Sequence, residues 1–129
     1  MSIKKRVSDV MISASRVPVV QSNDNLKSAL DVMTKFSLGV CIIENDTGVL
    51  EGILTDGDLR RLILNVQNPL PALLVTEAIR FGTKNPKFVL EDSFLESAIK
   101  LMDEKKIWDL PVLNSEGKFI GVINRHNLD

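Results

Sequence analysis

Apolar residues recur along the chain with two different periods. Leu26, Ala29, Leu30 and Met33 stand at i, i+3, i+4 and i+7, the spacing that lines one face of an α-helix. Leu95, Ala98, Ile99 and Met102 repeat that spacing, and Ser93 with Glu96 predicts a capping box at the start of this second helix. After each helix comes a short apolar run, Val40-Cys41-Ile42-Ile43 or Leu110-Pro111-Val112-Leu113. A polar turn containing Gly48 or Gly117 follows, and then Gly52-Ile53-Leu54 or Gly121-Val122-Ile123. Two such runs around a short glycine-bearing turn predict a hairpin. Extended pieces over 17–20 and 87–90 precede the helices, and Arg60-Arg61-Leu62-Ile63-Leu64 continues the first hairpin into a further helix. Each half reads strand–helix–strand–strand–helix, an α+β pattern.

The two halves are copies of one another. At an offset of 69 residues Ala29 meets Ala98, Met33 meets Met102, Gly48 meets Gly117, Gly52 meets Gly121 and Leu59 meets Leu128. Upstream, Val7-Ser8-Asp9-Val10-Met11 resembles Val75-Thr76-Glu77-Ala78-Ile79 at an offset of 68, which implies a one-residue insertion in one half. The division expected is repeat 1 with its leading segment over 1–65, a linker over 66–74 in which Asn68-Pro69-Leu70-Pro71 breaks any helix, and repeat 2 over 75–129. Halves of this size are marginal alone, so the two repeats are expected to pack together about a pseudo-twofold axis. Repeat 2 stops at Asp129, where repeat 1 continues through Leu64, so its final helix is expected to be truncated and the chain to be a piece of something larger.

Composition narrows the function classes. A 129-residue chain with 44% hydrophobic and 26% charged residues is ordinary for a globular protein. A formal net charge of −1 gives no general drive toward nucleic acid or an anionic membrane, and no apolar run reaches the length of a membrane span. The basic start, Met1-Ser2-Ile3-Lys4-Lys5-Arg6, lacks the apolar stretch of a signal peptide. Cys41 is the only cysteine and excludes an internal disulfide; a reducing, cytoplasmic setting is expected. With a single histidine, His126, neither a metal site nor a nucleophile–base pair is expected.

One stretch carries candidate chemistry. Thr55-Asp56-Gly57-Asp58 sits where a strand turns into a helix, which offers a hydroxyl and free N–H groups at an electropositive helix start, a setting suited to phosphate. Gly57 would let a ligand approach the backbone, and Arg60 or Arg61 could bring positive charge. The same Thr-x-x-Asp is also close to a capping box, which needs no ligand at all. The matching stretch of repeat 2 is Asn124-Arg125-His126-Asn127, where asparagine replaces both threonine and aspartate; unequal sites are expected, with Arg125 and His126 favouring an anion. Apolar walls are expected from Val19, Val20, Val40, Cys41 and Ile42, most of which read equally as core. Trp108, opposite Gly39 in the repeat, reads as core packing or as a stacking platform.

The duplicated unit, with Gly-Ile-Leu-Thr-Asp-Gly-Asp-Leu at the end of its first hairpin, resembles a CBS domain pair over Val7 to Asp129. Val7-Ser8-Asp9-Val10-Met11, Pro18-Val19-Val20, Thr55-Asp56-Gly57-Asp58-Leu59-Arg60-Arg61 and the position of His126 resemble the C-terminal part of the arabinose 5-phosphate isomerase family, enzymes of Kdo (lipopolysaccharide) biosynthesis. The Thr-Asp-Gly-Asp-(Leu/Ile)-Arg-Arg motif is also found in CBS pairs of sugar nucleotidyltransferases. The resemblance implies a regulatory module without catalysis of its own, attached to a sugar isomerase domain. In the family, threonine and aspartate at the positions of Thr55 and Asp58 hold the phosphate and the ribose hydroxyls of a nucleotide. An effector of the AMP, CMP or CMP-Kdo type is implied, as is a homodimer formed through the helices. A purely architectural, dimerising module is the competing expectation.

Overall fold

The computed structural model describes residues 5–128. In chain order the elements are α1 (Val7–Val10), β1 (Ile12–Ser13), β2 (Val19–Gln21), α2 (Leu26–Phe36), β3 (Val40–Glu44), β4 (Leu50–Thr55), α3 (Asp56–Asn65), α4 (Leu70–Leu74), β5 (Thr83–Lys84), β6 (Val89–Leu90), α5 (Leu95–Lys105), β7 (Asp109–Leu113) and β8 (Phe119–Asn124). Short 3-10 turns at Ala14–Arg16, Ala78–Arg80 and Arg125–Asn127 join them. The fold is mixed α+β with two four-stranded sheets, ordered β2-β3-β4-β5 and β1-β8-β7-β6. Among the described residues no helix is long and apolar enough to cross a membrane.

The helices form for the reasons their spacing gives. Leu26, Ala29 and Met33 of α2 are buried, as are Ala98 and Met102 of α5. Both helices end on a left-handed residue, Ser37 (φ 54°) and Lys106 (φ 55°), which stops the helix and turns the chain toward the hairpin. The two starts differ. Asn25 caps α2 by accepting from the Ser28 N–H at 2.9 Å. The capping box expected at Ser93 and Glu96 does not form: α5 begins at Leu95, and its N-cap, Phe94, makes no side-chain cap bond. The Ser93 carbonyl accepts from Val7 N–H at 2.9 Å and the Leu95 N–H is taken by the Lys5 carbonyl at 2.8 Å, so the leading segment does the capping.

That detail belongs to a larger arrangement. The two compact units do not coincide with the sequence stretches 1–65 and 75–129. One is Val17–Pro86; the other joins residues 5–16 to residues 87–128. In the first, β5 pairs antiparallel with β4, Thr83 opposite Ile53; in the second, β1 pairs antiparallel with β8, Ile12 opposite Val122. Each repeat's hairpin is therefore completed by the leading segment of the other repeat. The register also corrects the upstream alignment. Ile12 corresponds to Thr83, an offset of 71 rather than 68, and Val7 corresponds to Ala78, both fully buried. A slip of three residues keeps the same face of a helical turn, which is why the sequence pattern tolerated it.

The linker holds a further difference. Pro69 and Pro71 end the extended stretch after α3, yet Pro69 is also the N-cap of α4, with proline in the first turn, a position where its missing N–H does no harm. Leu73 of α4 is buried with Leu26, Ala29, Met33, Cys41, Leu54 and Leu62 in the core of the first unit. In the second unit Val7, Ala98, Met102, Leu110, Val112 and Ile123 make the corresponding cluster. Strands β3 and β7 are buried over four successive residues, as expected for central strands covered on both faces.

Candidate functional site

The strand-to-helix junction of the first unit is a closed hydrogen-bonded knot. Thr55 ends β4 in extended conformation and caps α3; its hydroxyl accepts from the Asp58 N–H at 3.3 Å. Asp58 reaches back, and its Oδ2 accepts from the Thr55 N–H at 2.9 Å and lies 3.2 Å from the Thr55 hydroxyl. Its Oδ1 pairs with Arg61 at 2.6 Å. The Asp58 side chain is 11% exposed, that of Arg61 60%. Both carboxylate oxygens thus have protein partners, and the capping box foreseen as the ligand-free alternative is fully formed.

The cation at this junction is Arg61; Arg60 is exposed on the helix. The i,i+3 spacing of Asp58 and Arg61 was the available signal. A Cβ on Gly57 would stand 3.3 Å from an Arg61 guanidinium nitrogen and 3.6 Å from the Thr55 hydroxyl, so the glycine leaves room for both groups beside the backbone. Asp56 turns elsewhere: its N–H donates to the Gly39 carbonyl at 3.0 Å and its carboxylate lies over Gly39. Val40 is directly opposite Thr55 in the β3–β4 ladder but buried, so it supports the junction from behind. Val19, half-buried, pairs with Ile42 one strand further along. Cys41 is buried and its thiol is pushed up to about 12, by burial first and by the nearby Asp24 second.

The second unit's junction has other chemistry. The Asn124 side chain accepts from His126 N–H at 3.0 Å and donates to Asp109 Oδ1 at 2.7 Å. Arg125 pairs with Asp103 at 3.3 Å, and Asn127 is exposed within the short 3-10 turn. His126 lies flat on Trp108, ring centroids 4.7 Å apart and planes 6° from parallel. Trp108 is 57% exposed, so the core-packing reading of this residue is wrong. Among the described residues no group of three or more His, Cys, Asp or Glu side chains could hold a metal.

Residues 7–65 and 77–128 match the CBS domain family. The chain belongs to it. Among solved CBS pairs, that of CBSX2 in complex with AMP superposes with a TM-score of 0.81 at 27% identity, over 95% of this chain and 92% of that one. Among curated proteins, the probable arabinose 5-phosphate isomerase of Haemophilus influenzae is 36% identical over 110 residues, 84% of this chain and 31% of that protein. The arabinose 5-phosphate isomerase KdsD of Pseudomonas aeruginosa is 32% identical over 123 residues, 95% of this chain and 36% of that protein. The CBS pair spans about a third of the length of these relatives.

Proposed function

We propose that this CBS pair is a regulatory module that senses a nucleotide or nucleotide-sugar and performs no catalysis itself. Its parent, in this reading, is a cytoplasmic arabinose 5-phosphate isomerase, and the module pairs with a second copy through its helices. The observation that carries the reading is the 27% identity, over nearly the whole chain, with a CBS pair bound to AMP, together with Thr55-x-x-Asp58 at the end of β4. The start of α3 and the Thr55 hydroxyl suit a phosphate, and Asp58 suits two vicinal ribose hydroxyls. Arg61 exchanges its bond to Asp58 for the anionic end of the ligand; Gly57 gives access, and Val19 and Arg60 border the approach. Asn124, His126 and Asn127 offer a weaker second position, because neutral amides cannot make the same charge-assisted bonds. In the isomerase setting an end product of the CMP-Kdo type is the fitting effector, since binding regulates only through unequal affinity for two states of the parent.

A second reading, an architectural dimerisation module, is favoured by one observation: both oxygens of Asp58 are already engaged inside the protein. Thermal-shift and calorimetric titrations with AMP, ATP, CMP and CMP-Kdo separate the two. A ligand at 100 times its dissociation constant stabilises the fold by about 2.7 kcal/mol. Such a shift, lost in Asp58→Asn, supports the sensor; silence toward all four nucleotides from a folded dimer supports the architectural module.

A further inference from the structure

The leading segments 5–13 and 76–84 are laid into their units in the same way but fastened differently. In the first unit the Thr76 carbonyl takes the Leu26 N–H at 2.8 Å, and the Ala78 N–H donates to the Asp24 carbonyl at 3.0 Å. The helix there also has a cap of its own, Asn25, which accepts from the Ser28 N–H at 2.9 Å. In the second unit Phe94 stands where Asn25 does, 69 residues on, and makes no side-chain cap bond. The segment closes the helix start instead. Leu95 N–H donates to the Lys5 carbonyl at 2.8 Å, Val7 N–H to the Ser93 carbonyl at 2.9 Å and Ser8 N–H to the Glu91 carbonyl at 3.0 Å. Arg6 fastens the arrangement from outside: its guanidinium carbon lies 4.0 Å from the centre of the Phe94 ring, and one of its nitrogens donates to the Asp92 carbonyl at 3.0 Å.

We propose that residues 5–13 form a releasable strap, latched by Arg6 on Phe94, whose docking and the order of the first turn of α5 are a single event. Three observations make it the part that opens first. Val7 is its only fully buried residue, and its strand, β1, adds just the two-residue ladder of Ile12 and Ser13 on β8. The latch is a cation on an aromatic ring at the surface, a contact of modest strength. The helix it closes has no side-chain cap to fall back on, so α5 frays when the strap leaves, whereas Asn25 would still hold α2. Such a weakly buried, surface-latched segment is the kind that opens without global unfolding. In the proposed parent the catalytic domain precedes this segment. A docked strap is then a firm joint, and a released one is a tether that reaches about 30 Å when extended. Whatever favours one state of the strap changes how that domain is held. This consequence rests on the proposed function; the strap itself does not.

Native-state hydrogen exchange on this chain tests the strap, because the amides of Val7, Ser8 and Leu95 each report its docking. The three should share one protection factor, at least tenfold below those of Leu26 and Ala78 in the first unit. Phe94→Asn removes the ring under Arg6 and gives α5 the kind of cap that Asn25 gives α2. It should lower the protection of Val7 and Ser8 at least tenfold more, while the amides of the β7–β8 ladder and the circular dichroism stay unchanged. Arg6→Gln, an exposed substitution that leaves Phe94 in place, should act on the same three amides in the same direction. Exchange of Val7, Ser8 and Leu95 only in step with the β7–β8 ladder, in the wild type and both variants, overturns the strap and leaves nucleotide sensing standing. Silence in the nucleotide titrations above removes the sensor and the tether's role in it, while a common, lower protection of the three amides still establishes the strap.

Discussion

Gly121→Ala tests the exchange of leading segments between the repeats. A Cβ on Gly121 would stand 2.6 Å from the Ile12 carbonyl oxygen and 2.8 Å from Met11 Sδ. The methionine can swing aside. The carbonyl is backbone, and it can retreat only if β1 leaves β8. Overpacking of this kind costs about 1–3 kcal/mol. The two-residue ladder of Ile12 with Val122 and Ser13 with Gly121 loses about 1 kcal/mol for each hydrogen bond that breaks. The stiffer unfolded chain returns about 0.4–1 kcal/mol. The expected net loss is about 2–3 kcal/mol. Two controls calibrate it. Gly117→Ala meets nothing within 4 Å but adopts φ +80°, so it should lose only the left-handed strain, about 1 kcal/mol. Gly52→Ala, the same sheet position in repeat 1, meets the Thr83 carbonyl at 3.1 Å and the Ile79 side chain, and should fall between the two. Urea titrations followed by circular dichroism give the free energies, and hydrogen exchange gives the place: amides over 5–13 should lose protection in Gly121→Ala alone. A Gly117→Ala loss as large as that of Gly121→Ala, or unchanged protection over 5–13, would refute the reasoning.

Thr55→Ala removes the cap of α3 and should lower stability by about 1 kcal/mol, with Thr55→Ser restoring most of it, as read by urea midpoints. Arg61→Gln, in contrast, breaks a pair whose cation is largely exposed and should change stability by less than about 1 kcal/mol in the same assay. Met102→Ala, 1% exposed in the core of the second unit, should lose about 2–5 kcal/mol. The Cys41 thiol rises from 9.0 to about 12 on folding, so above pH 9 the unfolded chain releases a proton that the folded chain keeps. Stability linked to this group is therefore complete below pH 9 and falls as pH rises toward 12, at about 1.4 kcal/mol per unit; a wild-type slope equal to that of Cys41→Ala would contradict it.

Helices and hairpins were legible in the sequence because both are recorded locally: α2 and α5 in apolar residues at helical spacing, β3/β4 and β7/β8 in β-branched runs around Gly48 and Gly117. The matched pair Gly52 and Gly121 was visible as a repeat, but its cause was not. Each lies where a leading segment, carrying Thr83 or Ile12, crosses close to the hairpin, and that partner comes from far along the chain. Local pattern says nothing about such a partner. For the same reason Ser93 and Glu96 looked like a cap: the letters fit, but the Ser93 N–H donates to the Leu90 carbonyl, and the helix begins two residues later with the Leu95 N–H held by the distant Lys5 carbonyl. At the candidate site, the Thr55–Asp58 spacing was legible and both of its meanings were foreseen. The choice of Arg61 over Arg60 depended on which side of α3 faces Asp58, and the Trp108–His126 stack on two residues 18 apart coming together at a hairpin's open end.

The two hairpin exits have diverged in what they can do. At the first, a single carboxylate fixes the start of α3, and in the proposed reading the same group takes the ribose, which would couple occupancy of the site to order in that helix turn. A ligand that drew Asp58 away from Thr55 would loosen α3; one that displaced only Arg61 would leave the cap in place. The second route costs less, since Arg61 is 60% exposed and its hydration offsets most of what the pair contributes. It also selects: the released guanidinium needs an anion, which a nucleotide supplies and a nucleoside does not. At the second exit no carboxylate stands at that position, the amide of Asn124 is tied to Asp109, and the aromatic pair faces outward. In the proposed reading, the duplicated unit therefore keeps its ligand chemistry at the first exit and not at the second.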